Sequence, residues 1–132
     1  MYSGFLIKAG DYEIPLSYMY ASSYKAAYET LDLDSYRDSN GVLQRTALSH
    51  KVPTVEIQIK SLDNAEMGAL FKGISDNYIN ATENKVLGTV WMPQLNDYVT
   101  GYMYIPTVDI TIHTVDEKKV HYDPFTLKLI GY

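Results

Sequence analysis

The sequence predicts a mainly β domain of the α+β type. It would be an antiparallel β-sandwich or open barrel of seven to eight strands, with one amphipathic helix at about 64–80 and a long loop hairpin at about 31–51. Three observations lead there. Short segments alternate apolar and polar residues with a period of two, and turn residues separate them at hairpin spacing. A single segment, "SLDNAEMGALFKGISDNYIN", repeats its apolar residues at helical spacing. Thirteen tyrosines stand against three phenylalanines and one tryptophan, a balance suited to half-exposed sheet and to interfaces, where the ring buries area and the hydroxyl finds a polar partner.

In chain order, "GFLIKAGDYEIPL" reads as a hairpin: Phe5 and Ile7 go out, Ala9-Gly10-Asp11 turns, Tyr12 and Ile14 return. Pro15 ends that strand or puts it at an edge. In "SYMYASSYKAAYETL", Tyr20, Tyr24 and Tyr28 recur at helical spacing, whereas Tyr18 and Tyr20 alternate. The paired serines and the β-prone tyrosines favour a strand leading into the loop. "VPTVEIQIKSL" is the clearest strand, with Val55, Ile57 and Ile59 on one face and Glu56, Gln58 and Lys60 on the other. For the helix, Asp63 is the cap and Glu66 completes a capping box. Met67, Leu70, Phe71, Ile74 and Tyr78 form its apolar stripe; Gly68 and Gly73 each cost about 1 kcal/mol against alanine, so tertiary packing must hold it.

"KVLGTVWM" and "DYVTGYMYI" flank a turn at "PQLN". "TVDITIHTV" alternates over nine residues, with Val108, Ile110 and Ile112 on one face. "DEKK" turns the chain, and "KVHYDPFTLKLI" closes it with Phe125, Leu127 and Leu129 on one side. In that last hairpin Val115 is expected opposite Val120, His113 opposite Tyr122 and His121 opposite Thr114.

The 132 residues fit one domain, 1–132, with no linker, repeat or low-complexity tract. Without cysteine, disulfide and thiolate-metal scaffolds are excluded. "MYSGFLIKAGDYEI" is not expected to be a secretory leader, because Lys8 interrupts the apolar region, and no run nears the ~20 apolar residues of a membrane span. A net charge of −5 argues against broad nucleic-acid binding.

Searches for chemistry return little. Asp32, Asp34, Asp38 and Asn40-Gly41 hint at calcium, but with Gly41 at position 6 of an EF-hand loop, position 1 falls on Tyr36 and position 12 on Ala47. His50, His113 and His121 lack metal-ligand spacing, and no nucleophile elbow or phosphate-binding glycine loop is present. The expectation is a non-enzyme with no catalytic residue, no metal and no cofactor. Trp91, Tyr98, Tyr102 and Tyr104 could form a platform for sugar, though beside a turn they equally read as cross-strand packing pairs.

This leaves "LDLDSYRDSNGVLQRTALSHK", residues 31–51. Loops this long in compact domains are usually functional or disordered. Here the segment carries its own apolar residues (Leu31, Leu33, Val42, Leu43, Leu48), Tyr36, and alternating charges at Asp34, Arg37, Asp38 and Arg45. Asn40-Gly41 is a strong turn signal with arginine on both arms, so "RDSNGVLQR" reads as a charged hairpin suited to docking on a neighbour, where Arg37 or Arg45 would fork onto a carboxylate.

The order of strand, long hairpin, strand, capped helix and antiparallel strands resembles the tail-tube fold of long-tailed bacteriophages, shared by tube, distal-tail and baseplate-ring proteins. Through "GFLIKAGDYEIPL", "LDSYRDSNGVLQR" and "DNYINATENKV" the chain is also similar to a family of small siphophage tail proteins. The resemblance spans nearly the whole chain and rests on structural motifs. It implies a virion structural protein, a small tail or tail-tip (distal-tail or baseplate-like) ring subunit. Such a subunit self-assembles, as a hexameric ring, through edge strands and the 31–51 loop. Partners would be further copies and other tail proteins (tape measure, tail tube, tail-tip components), with DNA at most passing through a lumen and no membrane. The location would be the virion, after assembly in the host cytoplasm. Carried over by residue, the contact role falls on Asp34, Tyr36, Arg37, Asp38, Asn40 and Arg45. The extra C-terminal domain of larger distal-tail proteins is not expected. The alternatives are a carbohydrate-binding β-sandwich using the four aromatic residues named above, or a head–tail connector or tail-completion protein.

Overall fold

The computed structural model describes residues 1–132, the side chains of 31–35 and 46–50 excepted. The alternating segments become antiparallel strands: β1 (Ile7–Ala9), β2 (Tyr12–Glu13), β3 (Lys25–Arg37) and β4 (Leu43–Ile59) precede the helix α1 (Asn64–Ser75). After it come β5 (Tyr78–Asn80), β6 (Lys85–Met92), β7 (Asp97–Tyr104), β8 (Ile112–Val115), β9 (Val120–Tyr122) and β10 (Phe125–Gly131). Eight strands join one sheet in the order β2-β1-β6-β7-β10-β4-β3, with β5 added beside β6; β8 and β9 form a separate two-stranded sheet.

The sheet is rolled. Tyr24, at the approach to β3, donates its hydroxyl to the carbonyl oxygen of Trp91 on β6, although β4, β10 and β7 lie between those strands in the sheet order. Burial raises the Tyr24 phenol pKa well above its ordinary value, keeping the proton that this bond needs. The result is an open barrel. Its inner face buries Ile7, Val55, Ile57, Ile59, Val86, Val90, Met92, Met103, Leu127 and Leu129. Every one of these sits at the apolar position of an alternating strand.

Helix α1 closes this core with Met67, Leu70 and Ile74, while Phe71 stacks on Phe125 at 5.9 Å. The expected capping box is present: Glu66 N–H donates to Asp63 Oδ1 at 2.9 Å, and the Glu66 carboxylate accepts from Asp63 N–H at 3.4 Å. The helix ends at Ser75, earlier than the stripe to Tyr78 predicted. Asn77 Nδ2 bonds the Gly73 carbonyl at 2.8 Å and its N–H the Ile74 carbonyl at 3.1 Å, consuming the terminal acceptors. Tyr78 then starts β5 opposite Val86.

Two further segments depart from the sequence reading. Residues 16–23 hold two 3-10 turns, Leu16–Tyr18 and Ala21–Ser23, around a bridge between Met19 and Ile59, and the strand starts only at Lys25. "TVDITIHTV" is not one nine-residue strand: 106–111 lie outside any strand, Val108 and Ile110 pack on the core, and Ile112 begins β8 exposed. In the β8–β9 hairpin Val115 does face Val120 and Thr114 faces His121, as expected. A register shift then puts Ile112, and not His113, opposite Tyr122, and His113 Nδ1 meets Asp123 Oδ1 at 2.9 Å.

Candidate assembly arm

The predicted loop at 31–51 is strand almost throughout. β3 and β4 continue past the barrel as an antiparallel ribbon, turning at residues 38–42. Pro53 marks where the ribbon leaves the sheet. Lacking an N–H, it cannot extend the β10 ladder, whose last pair is Ile130 with Thr54, and its ring occupies the space a Cβ on Gly131 would need. From the pair Glu29–Val52 to the pair Arg37–Leu43, β3 advances eight residues, about 26 Å at ~3.3 Å per residue. A 132-residue domain has a radius of gyration of only about 14 Å. Long enough to reach a neighbour, the feature is an arm.

Its tip is built by Asp38. One carboxylate oxygen accepts the N–H groups of Asn40 (2.9 Å) and Val42 (3.0 Å), and the other accepts from Gln44 Nε2 (3.1 Å). The backbone closes between Asp38 N–H and the Val42 carbonyl, and Gly41 supplies the φ of +80° that the turn requires. These bonds, the Val42 N–H foremost, hold the Asp38 carboxyl below its ordinary pKa. Arg37 Nη1 donates to the Gly41 carbonyl at 3.0 Å, which engages one of its five N–H donors.

The sequence-predicted contact residues therefore divide. Arg37, Asn40, Arg45 and Tyr36 lie exposed around the tip, whereas Asp38 has both oxygens committed to the turn. The Asp34 side chain, like those of the calcium candidate Asp32 and of Leu31, Leu33, Leu48 and His50, lies outside the described residues. Tyr36, Val42 and Leu43 are 58%, 55% and 46% exposed, which puts an apolar patch on the end of the arm. Val42 and Leu43 were absent from the predicted contact set; the signal available was two apolar residues directly after a turn.

The four aromatic residues of the sugar hypothesis share the outer face of β6 and β7. Trp91 is paired with Tyr98, ring against ring at 5.1 Å, and its indole also meets Tyr2 edge-on at 5.6 Å. Tyr98 stacks on Phe5 and donates its hydroxyl to the Phe5 carbonyl. Tyr102 and Tyr104 stand at the other end of β7, where the Lys85 ammonium lies between the rings of Tyr102 and Tyr132 at 4.9 and 4.6 Å. None of the thirteen tyrosines is fully buried. Among the described residues no group of three His, Cys, Asp or Glu is placed to hold a metal, and no helix is long and apolar enough to cross a membrane.

The fold as a whole is similar to that of chains in virus-like tails. Two solved structures are similar over 98% of this chain and 91% of theirs, each at 16% identity and a TM-score of 0.50. One is from the tail of an empty gene transfer agent particle, refined helically with C6 symmetry, and the other from the virion of a native gene transfer agent particle. The chain itself belongs to the family described as "Family of unknown function (DUF6711)", whose model matches residues 1–132. No curated protein matches the sequence.

Proposed function

We propose that this protein is a non-enzymatic structural subunit of a phage tail. It assembles with further copies of itself into a hexameric ring at the tail or tail tip, and stacks against other tail proteins such as the tube, tape-measure and tip components. Its working location is then the virion, reached after assembly in the host cytoplasm. The observation that carries this reading is the arm: a ribbon about 26 Å long with exposed apolar and cationic residues at its end, on a barrel of the tail-chain fold. Such a ribbon is stabilised by a second molecule, because an isolated two-stranded hairpin is marginal in water. The acidic net charge of −5 suits a lumen through which DNA slides without sticking.

The test is the mass and shape of the purified protein. Light scattering and electron micrographs of the wild type are expected to show concentration-dependent assembly into rings. The double substitution Arg37→Ala, Arg45→Ala removes the arm's forked donors and is expected to weaken association by about tenfold or more, the scale of one charge-assisted hydrogen bond, with the circular dichroism unchanged. Assembly undiminished in the double variant would refute the assignment of the contact to these residues.

A further inference from the structure

The arm needs a receptor, and the sheet contains a candidate. In the strand order β10 lies between β7 and β4, but it spans them unequally. It pairs with β4 from Phe125–Ile59 to Ile130–Thr54, and with β7 only at Ile130–Tyr104 and Gly131–Met103. Tyr132 N–H adds one bond, to the Tyr102 carbonyl at 3.1 Å. That bond fixes which way the backbone of β7 faces. The Tyr102 carbonyl points toward β10, so two residues earlier the N–H and C=O of Thr100 point to the same side. Among the described residues Thr100 has no ladder partner there, and Tyr98 N–H donates to Oδ1 of the preceding residue, Asp97, at 2.8 Å.

Past the end of β10 a cleft of about 420 Å³ opens between β7 and the root of the arm, walled on one side by residues 99–102 and Tyr132 and on the other by Tyr28, Pro53 and Lys51, whose ammonium lies 5.8 Å from the centre of the Tyr28 ring. Edge strands are normally blunted by lysine, proline or a bulge. The edge at 98–102 reads Tyr-Val-Thr-Gly-Tyr, neutral and β-prone, with none of those devices.

We infer that this cleft receives the arm of a second copy: one strand of the incoming tip pairs with the free edge of β7, and Val42 and Leu43 enter the cleft beside Val99 and Pro53. The inference rests on the reading above that the arm docks on a neighbour, and it names the acceptor. Four observations select this occupant. The arm is extended, the backbone form that adding a strand to a sheet edge requires. Its tip carries exposed apolar side chains that its own barrel does not cover. Asp97, two residues before Val99, offers a carboxylate to Arg37 or Arg45; its Oδ1 accepts from Tyr98 N–H and from the amine of Met1 at 2.7 Å, the latter an exposed pair of little worth. Finally, the root of each arm, at Tyr28 and Pro53, is itself a wall of the cleft, and the tip lies about 26 Å farther along the same ribbon. An arm cannot fill its own cleft without breaking its ladder, so the contact joins two copies and repeats from copy to copy.

The test uses two kinds of variant. Gly101 has nothing within 4 Å of where a Cβ would stand, so the Cβ of Gly101→Leu is free of contacts and its side chain occupies the cleft. It is expected to keep the thermal melt of the wild type and to weaken assembly at least tenfold. The sequence has no cysteine, so an engineered pair is unambiguous. A tagged Val42→Cys copy mixed with an untagged Thr100→Cys copy is expected to oxidise to a mixed dimer several times faster than Val42→Cys mixed with Lys72→Cys on the outside of α1. Assembly abolished by Arg37→Ala, Arg45→Ala but untouched by Gly101→Leu, with cross-linking no faster than the Lys72 control, would overturn the acceptor and leave the arm's docking role standing. Absence of assembly in the wild type would overturn both.

Discussion

Single residues set the most local properties, and Asp38 sets the most of any in the arm. Its lowered pKa means that the folded tip prefers the carboxylate more than the unfolded chain does. The stabilisation is therefore complete above the ordinary aspartate value of about 4 and is lost as pH falls through the lower, folded value. The amide resonances of Asn40 and Val42 are expected to move together below about pH 4 in the wild type, and to have lost that titration in Asp38→Asn. Unchanged titration in the variant would assign the shift to another group. Gly10 is a second sensitive point. It combines a φ of +61° with a Cβ position 2.5 Å from Asn77 Oδ1, the atom that also accepts from Asp11 N–H at 3.0 Å. Neither demand could be read from "AGDYE", which announces a turn but not the helix terminus packed against it.

At the scale of elements, α1 separates propensity from packing. Gly68 and Gly73 look alike in sequence, each about 1 kcal/mol worse than alanine in a helix. In the structure a Cβ on Gly68 meets nothing within 4 Å, whereas one on Gly73 would lie 2.5 Å from the Tyr12 ring. Gly68→Ala is accordingly expected to stabilise the protein by about 0.5–1 kcal/mol. Gly73→Ala is expected to destabilise it by about 1–2 kcal/mol, since overpacking outweighs the propensity gain. Denaturant melts of the two variants decide this; equal effects would mean that β2 does not press on the helix as described. Asp63→Ala should cost about 1 kcal/mol by removing the cap. The helix start was legible because a capping box is a local device. Its end was not, because Asn77 stops it by bonding the Gly73 carbonyl while Asp11 N–H, far away in sequence, holds the other end of the Asn77 amide.

The strands show the same division. Alternation placed Val55, Ile57, Ile59, Phe125, Leu127 and Leu129 on the buried face, because a period of two encodes a face without reference to any partner. It misled at "TVDITIHTV", where Val108 and Ile110 bury themselves beside α1 and β5 without a ladder. It was silent on the arm, whose sequence keeps no sustained alternation. The turn at Asn40-Gly41 was legible; the ribbon was not, and neither was the meaning of Pro53 as the point where sideways pairing stops. The cleft beside β7 was invisible in the sequence, since it depends on where β10 ends relative to strands paired with it from distant parts of the chain.

The whole molecule divides into a barrel with its own apolar core and an arm whose tip residues are exposed. The barrel has a continuous apolar core, and among the described residues it buries no polar side-chain atom without a partner. The arm adds surface and exposes apolar residues, a combination that stabilises nothing within one copy. The most direct measurement is sedimentation of the wild type against a variant in which residues 30–50 are replaced by a short turn joining Glu29 to Lys51. The shortened protein is expected to keep the thermal melt of the barrel and to remain a monomer at concentrations where the wild type sediments as a closed ring. A shortened protein that assembles as the wild type does would contradict the docking role of the arm.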